Sequence, residues 1–219
     1  MQNAEHYLEK LKAVGQVDDT SIQIGRTALY LAALDHPAID LDPYLQHLDQ
    51  LEADARERIP SLRRGMSEAE SVARVLADTI ANRHGYMGDN DTFDDPQNAD
   101  IIRVIDRRRG LPVSLGILYL EIAHRLGAQA QGLNTPGHFL LSVGEGEQAK
   151  IIDPFNGGVV FSADELRPWS PSPSIPTSSL CVPATSPGIP ASSPNVPPNL
   201  LSFRACLLSF HACLLRFAP

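Results

Sequence analysis

The sequence predicts an α+β fold, in which a buried central helix packs against an antiparallel sheet. The stretch LPVSLGILYLEIAHRLG (111–127) is apolar around most of a helical cylinder, and such a helix is normally buried. Four short apolar runs bounded by turn residues follow it: AQAQGL, HFLLSV, AKIIDP and GGVVFS. Consecutive strands after a helix are typical of a sheet that is antiparallel and covered by helices on one face.

Helical spacing of apolar residues also occurs earlier in the chain, at 21–34, 40–59, 67–85 and 101–110. The second of these helices has Pro43 in its first turn, where proline is tolerated. The third begins at Ser67, three residues before Glu70, which is a capping-box pattern. We therefore expect a helical N-terminal subdomain at 1–85 and a core at 86–167 that holds the central helix and the sheet.

The charge of the chain argues against several classes of partner. Residues 1–166 carry 26 acidic and 15 basic side chains, which gives this part a net charge of −11. A surface this acidic repels phosphate backbones and anionic lipid, so we expect no nucleic-acid and no membrane partner. No window reaches the roughly 18 apolar residues of a membrane span. The first residues, MQNAEHYLEK, lack the pattern of a secretory signal, and we expect a cytoplasmic protein.

The composition changes at residue 168. The segment 168–219 contains 11 of the 18 prolines and all three cysteines, Cys181, Cys206 and Cys213. A heptapeptide repeat is headed by one apolar residue per unit, at Ile175, Val182, Ile189, Val196, Phe203, Phe210 and Phe217. Because prolines exclude a coiled coil in the first units, we expect a Pro/Ser-rich disordered tail. Alternatively, the tail is a frameshift or truncation product, translated from a seven-nucleotide DNA repeat.

Three polar features have both structural and functional interpretations. The aspartates of YMGDNDTFDDPQNAD (86–100) suggest calcium, but the spacing of an EF-hand is absent, so we expect a solvated loop with helix-capping residues. The arginines at 107–109 are able to bind an anion, although a helix C-terminus favours cations anyway. Metal-ligand spacing is also absent among five of the histidines, and we expect solvent-facing or capping roles for them: His6, His36, His47, His84 and His124. No metal and no cofactor are expected.

A histidine and an aspartate lie on neighbouring predicted strands. If these strands form a hairpin in which Val143 pairs with Gln148, then His138 pairs with Asp153. Opposed residues have Cβ atoms about 4.5–5.5 Å apart, so the carboxylate would orient the imidazole and stabilise its cation. Ser114, near the start of the central helix, would complete a catalytic trio beside an oxyanion site. Alternatively, the serine is a cap or packing residue and the pair is a structural hydrogen bond.

Three ordered blocks of the chain resemble the SirB-type transglutaminase-like proteins of bacteria over residues 20–166: GYMGDNDTFDDPQNADIIRVIDRRRGLPVSLGILYLEIAHRLG, PGHFLL and IIDPFNGG. Related domains occur in some eukaryotic F-box proteins. The resemblance implies a transglutaminase-like, papain-like core, in which a cysteine at the start of a central helix meets a histidine and an aspartate. It implies that His138 and Asp153 hold the last two positions and that Ser114 replaces the cysteine. Family members usually continue into a helical, tetratricopeptide-like region, where this chain has its proline-rich tail.

Serine in place of cysteine leaves two functional hypotheses. A thiol with a pKa of about 8.5 is easily ionised by an imidazole and a helix dipole. A serine hydroxyl needs a true general base and a formed oxyanion hole. The first hypothesis is therefore a pseudoenzyme, a non-catalytic or cryptic module that binds a protein or peptide. The second is a serine-dependent acyl-transfer enzyme, an amide hydrolase or transferase with Ser114 as its nucleophile.

Overall fold

The computed structural model describes residues 2–18, 21–62, 65–135, 138–162 and 164–165. The tail predicted at 168–219, with its repeat and its cysteines, lies outside the described residues. Six α-helices lie within these ranges: α1 (Gln2–Val14), α2 (Ile24–Asp35), α3 (Asp42–Leu62), α4 (Glu68–Ala77), α5 (Ile101–Arg107) and α6 (Pro112–Arg125). None of these described helices has both the length and the apolar character that crossing a bilayer requires.

The strands form two sheets of unequal size. A short parallel pair joins β1 (Met87–Gly88) to β2 (Arg109–Gly110). The main sheet is antiparallel and follows chain order, with β3 (Ala130–Thr135), β4 (His138–Val143), β5 (Lys150–Asp153) and β6 (Val159–Ser162). Helices first and an antiparallel sheet after them confirm the predicted α+β class.

The α6 helix is the centre of the hydrophobic core, as its all-round apolar sequence predicts. Its leucines Leu115 and Leu118 have no exposed surface. The same core contains residues from the N-terminal helices and from the sheet, among them Leu29, Leu48, Leu76, Leu141 and Ile152. Burying one such side chain stabilises the fold by about 1.5–3 kcal/mol. The helices before residue 85 thus share one core with the sheet, and the boundary at residue 85 stays a prediction.

Phe139 fixes the distance between α6 and the sheet. A Cβ atom added to Gly116 of α6 would lie 2.4 Å from Cε1 of Phe139. A Cβ atom added to Gly132 of β3 would lie 2.8 Å from Cζ of the same ring. The ring of Phe139 therefore fills a slot that exists because both neighbours are glycines.

The ends of two helices differ in how well the sequence predicts them. Ser67 caps α4 by accepting a hydrogen bond from the backbone N–H of Glu70 at 3.2 Å, as predicted. The helix α5 was expected to reach Gly110, but it ends at Arg107. Arg108 takes the left-handed conformation that usually falls to glycine at this position, with φ of 58°.

Candidate functional site

The hydroxyl of Ser114 is hydrogen-bonded to the loop that precedes α5. Its side chain is fully buried, and its hydroxyl donates a hydrogen bond to the backbone carbonyl of Asn98 at 2.8 Å. The backbone N–H of Leu111, the residue before α6, donates to the same carbonyl at 3.1 Å. The hydroxyl proton of Ser114 is therefore directed at a carbonyl oxygen, which does not serve as a general base.

A buried polar network holds Asn98 in turn. Its side-chain amide donates to the carbonyl of Thr92 at 2.6 Å, and its Oδ1 accepts from Arg107 at 3.0 Å. Arg107 also donates to Asp89 at 2.8 Å. The backbone N–H and the hydroxyl of Thr92, with help from Arg107, hold the pKa of Asp89 well below its usual range. Asp89, Asn98 and Ser114 thus belong to one connected set of hydrogen bonds.

The prediction of a solvated, helix-capping loop at 86–100 was right about capping and about the exposed residues 90–94, and wrong about Asp89. Asp95 caps the turn Pro96–Asn98, and Asp100 caps α5. Asp89, however, is only 2% exposed, because it pairs with an arginine 18 residues later. The arginines at the end of α5 were the available signal for this pairing. Among the described residues, no group of three or more His, Cys, Asp or Glu side chains is arranged to hold a metal ion.

Three of the remaining histidines are part of the packed structure. His36 pairs with Asp100 at 2.5 Å, and His84 pairs with Asp54 at 2.7 Å. His47 lies 2.8 Å from the hydroxyl of Tyr86. His36 and His84 are the C-cap residues of α2 and of the π-helical segment Asp78–Arg83, so the expected capping role is confirmed for these two. His47 is half-buried within α3 and has neither expected role. All three link separate elements of the fold.

The strands β4 and β5 pair in a register that differs from the predicted one. Val143 lies opposite Lys150, two residues beyond the predicted partner Gln148. In this register His138 is not opposite Asp153, so the predicted direct pairing was wrong. An offset of two residues leaves side chains on their original faces. His138 and Asp153 are thus diagonal neighbours on one face of the sheet, with Cα atoms about 7–8 Å apart in such a geometry.

Ser114 and His138 are placed on different sides of β4. Phe139 packs against Gly116 of α6, so its side chain is on the helix side of the sheet. Successive side chains of a strand alternate between faces, which assigns the exposed His138 to the opposite side. Ser114 belongs to α6 and is bonded to Asn98. By this alternation and the register of the strands, His138 and Asp153 share one face of the sheet, and the catalytic assignment of all three residues stays a prediction.

Asp153 organises the turn that leaves β5. Its carboxylate accepts hydrogen bonds from the backbone N–H groups of Phe155 and Asn156 at 3.0 and 3.1 Å. The side-chain amide of Asn156 donates to it at 2.7 Å. The residue is only 8% exposed. These bonds fix the orientation of the carboxylate, which a partner of an imidazole requires and which a purely structural turn also explains.

Tyr119 extends from α6 toward the same turn. A Cβ atom added to Gly158 would lie 2.5 Å from its hydroxyl oxygen. Burial raises the pKa of Tyr119, and the negative charge of Asp153 raises it further. Its hydroxyl has no hydrogen-bond partner among the described residues. The position of Tyr119 within an apolar helix predicts only packing, so no signal in the sequence indicates a role at this turn.

Exposed apolar side chains surround the turn after Asp153. They are Met87, Phe93 and Val159, with 45%, 48% and 54% of their surface exposed. The ring of Phe93 meets that of Phe155 edge-on, with 5.8 Å between centroids. Val159 pairs with Asp153 across the sheet, and the N–H of Gly88, next to Met87, donates to the carbonyl of Phe155 at 2.9 Å. We call these three residues the turn patch.

A buried central helix packed against an antiparallel sheet of four strands defines a recognisable class of α+β domain. A family model described as the transglutaminase-like superfamily matches residues 42–184, and the chain belongs to that superfamily. This confirms the resemblance at the level of the superfamily. The exchange of cysteine for serine at position 114 stays a prediction.

Individual relatives give a narrower comparison. The chain is similar to a UPF0162 protein of Xylella fastidiosa (strain 9a5c), with 32% identity over 155 residues, 71% of this chain and 54% of the relative. It is 43% identical to a UPF0162 protein of Vibrio cholerae over 86 residues, 39% of this chain and 32% of the relative. It is 34% identical to F-box only protein 21 of Homo sapiens over 71 residues, 32% of this chain and 11% of that protein.

The chain spans about half the length of the Xylella relatives it matches. No solved structure matches it.

Proposed function

We propose that this chain is a non-catalytic, transglutaminase-like module that binds a protein or a peptide. The observation that carries the proposal is the hydrogen bond from the hydroxyl of Ser114 to the carbonyl of Asn98, in a side chain without exposed surface. A serine nucleophile must give its proton to a base that is itself within hydrogen-bond reach. Here the proton is committed to the backbone, where it anchors α6.

The turn patch is the surface we propose for binding. Exposed apolar side chains that lie together mark interaction sites more often than isolated ones do. Aspartates flank Phe93 in the sequence, and Asp91 has 87% of its side chain exposed. Carboxylates around an apolar anchor favour a partner that presents an apolar side chain beside lysine or arginine. The negative net charge of residues 1–166 is the reason why we propose no nucleic-acid and no membrane partner. We also propose that the protein is cytoplasmic.

Labelling with a fluorophosphonate probe tests the non-catalytic character. The wild-type chain should remain unlabelled, because the hydroxyl of Ser114 donates its proton to the carbonyl of Asn98. Labelling that disappears in Ser114→Ala but persists in the matched control Ser142→Ala would contradict the proposal. That outcome would favour the alternative, a serine-dependent acyl-transfer enzyme that hydrolyses or transfers amides through Ser114.

A cysteine at position 114 gives a second, independent test. The proposal predicts that the thiol of Ser114→Cys reacts slowly with iodoacetamide, as a buried cysteine does. A fast reaction with a depressed thiol pKa would instead indicate a preserved catalytic environment. Circular dichroism of the variant establishes that the fold is intact in either case.

Selection of peptides from a random library tests the binding surface. Peptides enriched on the wild-type chain should contain an aromatic or large aliphatic residue near lysine or arginine. The double variant Phe93→Asp and Val159→Asp should bind the selected peptides at least about tenfold more weakly, since each lost anchor removes more than about 1 kcal/mol. Leu8→Asp is the matched control, because Leu8 is 44% exposed and belongs to α1. Equal loss in both variants would refute the assignment of the surface.

A further inference from the structure

A pocket lies outside the candidate site on α6 and the sheet. It is formed by the segment before α3, the first turns of α3 and the end of α5, and has a volume of about 620 Å³. Its lining combines apolar side chains with Tyr44, His47 and Arg108, and with Asp40 and Asp106. None of Ser114, His138 and Asp153 contributes to it.

Arg108 differs from the other arginines in this part of the chain. The structure describes ten arginines, and nine of them have a nitrogen within 4.0 Å of a carboxylate oxygen. Arg108 has no carboxylate within this distance among the described residues. In a segment with 26 acidic side chains, an arginine without an acidic partner is unexpected.

Neutral groups hold the guanidinium of Arg108 in place. Its Nη1 donates to the hydroxyl of Tyr86 and to Nε2 of His47, the latter at 2.5 Å. Its central carbon lies 4.7 Å from the centroid of the Tyr86 ring, which is a cation–π contact. Burial, together with the positive charges of Arg108 and His84, lowers the pKa of His47 to about 4, so His47 is neutral at pH 7. Among the described residues, the charge of Arg108 thus has no carboxylate partner within 4.0 Å.

The backbone of Arg108 supports a functional assignment. It is the described non-glycine residue with positive φ, and a left-handed conformation is unfavourable for an arginine. Strained residues tend to occur where a side chain must point into a site. The guanidinium of Arg108 lies at the pocket wall, in contact with His47 and Tyr86.

We propose that this pocket binds a free α-amino acid with an apolar side chain. The α-carboxylate would pair with the remaining donors of Arg108, whose planar fork matches a carboxylate. The α-ammonium group would lie toward the exposed carboxylates of Asp40 and Asp106. The apolar walls, Ile39 and Ile105 among them, would accept the side chain. The two carboxylates also disfavour phosphate and other multiply charged anions.

Titration of the full chain with a matched set of small molecules tests the proposal. The probes are leucine, leucine amide, N-acetyl-leucine and inorganic phosphate, followed by calorimetry and by the NMR signals of the His47 imidazole. Leucine should bind and shift the His47 signals. Leucine amide lacks the carboxylate and N-acetyl-leucine lacks the ammonium group, so each should bind at least about tenfold more weakly. Phosphate should not bind measurably at the same concentration.

Variants at Arg108 separate ligand binding from folding. Arg108→Asn keeps a residue that tolerates the left-handed conformation, and it should abolish the leucine-dependent shift. Arg108→Lys keeps the charge without the fork and should weaken binding about tenfold. Arg74→Lys, whose partner is Glu70 on the same helix, is the control and should bind as the wild type does.

The result that overturns the proposal is an unchanged His47 signal at millimolar leucine in the folded wild-type chain. Equal binding of leucine and leucine amide would also overturn it. If N-acetyl-leucine binds as tightly as leucine, the ammonium position is refuted and the C-terminus of a peptide becomes the carboxylate source. These outcomes come from the wild-type chain and stand even if an Arg108 variant fails to fold.

Discussion

Replacing Gly116 by alanine is the sharpest test of how α6 and the sheet are packed. Alanine in the interior of a helix normally stabilises it by about 1 kcal/mol relative to glycine. At this position the new methyl group would lie 2.4 Å from Cε1 of Phe139. The ring has little room to retreat, because Gly132 confines it from the neighbouring strand.

The expected outcome is a net loss of stability. Overpacking a core typically costs about 1–3 kcal/mol, and the 2.4 Å approach to the ring of Phe139 puts this substitution in the upper part of that range, at about 2–3 kcal/mol. The gain in helix propensity offsets about 1 kcal/mol of this cost. We expect Gly116→Ala to lower the free energy of unfolding by about 1–2 kcal/mol, or the Tm by about 2–8 °C. Urea unfolding followed by circular dichroism measures the change. Gly15→Ala is the matched control, since the nearest atom to its added Cβ is 3.4 Å away.

A double-mutant cycle with Phe139→Ala tests the cause. In the Phe139→Ala background the obstructing ring is gone, so Gly116→Ala should stabilise the chain by about 1 kcal/mol, as in an ordinary helix. A wild-type background in which Gly116→Ala is neutral or stabilising would refute the steric reasoning. A loss of the same size in both backgrounds would refute it as well.

Three further changes have expected outcomes that follow from single side chains. Tyr119→Phe should leave the free energy of unfolding unchanged or raise it by about 1 kcal/mol, because the hydroxyl of Tyr119 has no hydrogen-bond partner among the described residues. Tyr86→Phe is the control and should lower the free energy of unfolding by about 1–2 kcal/mol, because its hydroxyl bonds with His47 and Arg108. An equal loss of stability in the two variants would contradict this prediction. The pKa of Asp89 is depressed in the folded chain, so the ionised carboxylate stabilises the fold above about pH 4 and this stabilisation disappears as the pH falls further. The wild type should therefore be more stable than Asp89→Asn at pH 7. A difference in stability between the two chains that persists undiminished at pH 2 would argue against this role of Asp89. The pKa of His47 falls to about 4 on folding, so the unfolded chain binds the proton first and the free energy of unfolding declines as the pH falls from about 6.5 to about 4. His47→Gln should show a shallower decline over this pH range. Parallel plots of stability against pH for the two chains would exclude a depressed pKa of His47.

The sequence predicts the central part of this fold well because the dominant signals are local. The apolar character of 111–127 corresponds to α6, and the apolar run in HFLLSV corresponds to β4 at His138–Val143. The helix α1 was not predicted. Its apolar positions are few, and it packs mainly against α2, so its stability depends on a contact that no local window contains.

The error in register has a specific physical cause. The prediction joined β4 and β5 by the four residues GEGE, whereas Gly146–Gln148 form a 3-10 turn and delay β5 until Lys150. Gly144 and Gly146 both have positive φ, and several turn types are compatible with two such glycines. The length of the turn sets the register, and the hydrophobic pattern cannot detect a slip of two because it leaves every face unchanged.

The polar residues were harder to predict than the apolar ones. A polar stretch such as 86–100 indicates solvent exposure, and the burial of Asp89 depends on a partner supplied by α5. Similarly, glycine is the residue expected in a left-handed helix end, and Arg108 is found there instead. In both cases long-range contacts override a local preference, and these are the positions to which the structure adds most.

The carbonyl of Asn98 receives both the N–H of Leu111 and the hydroxyl of Ser114, and this double acceptance has an evolutionary consequence. A thiol at position 114 would donate only weakly, so the carbonyl would retain one strong donor. One atom thus decides how firmly α6 is joined to the segment before α5. A lineage that exchanged this oxygen for sulfur would lose rigidity in that segment.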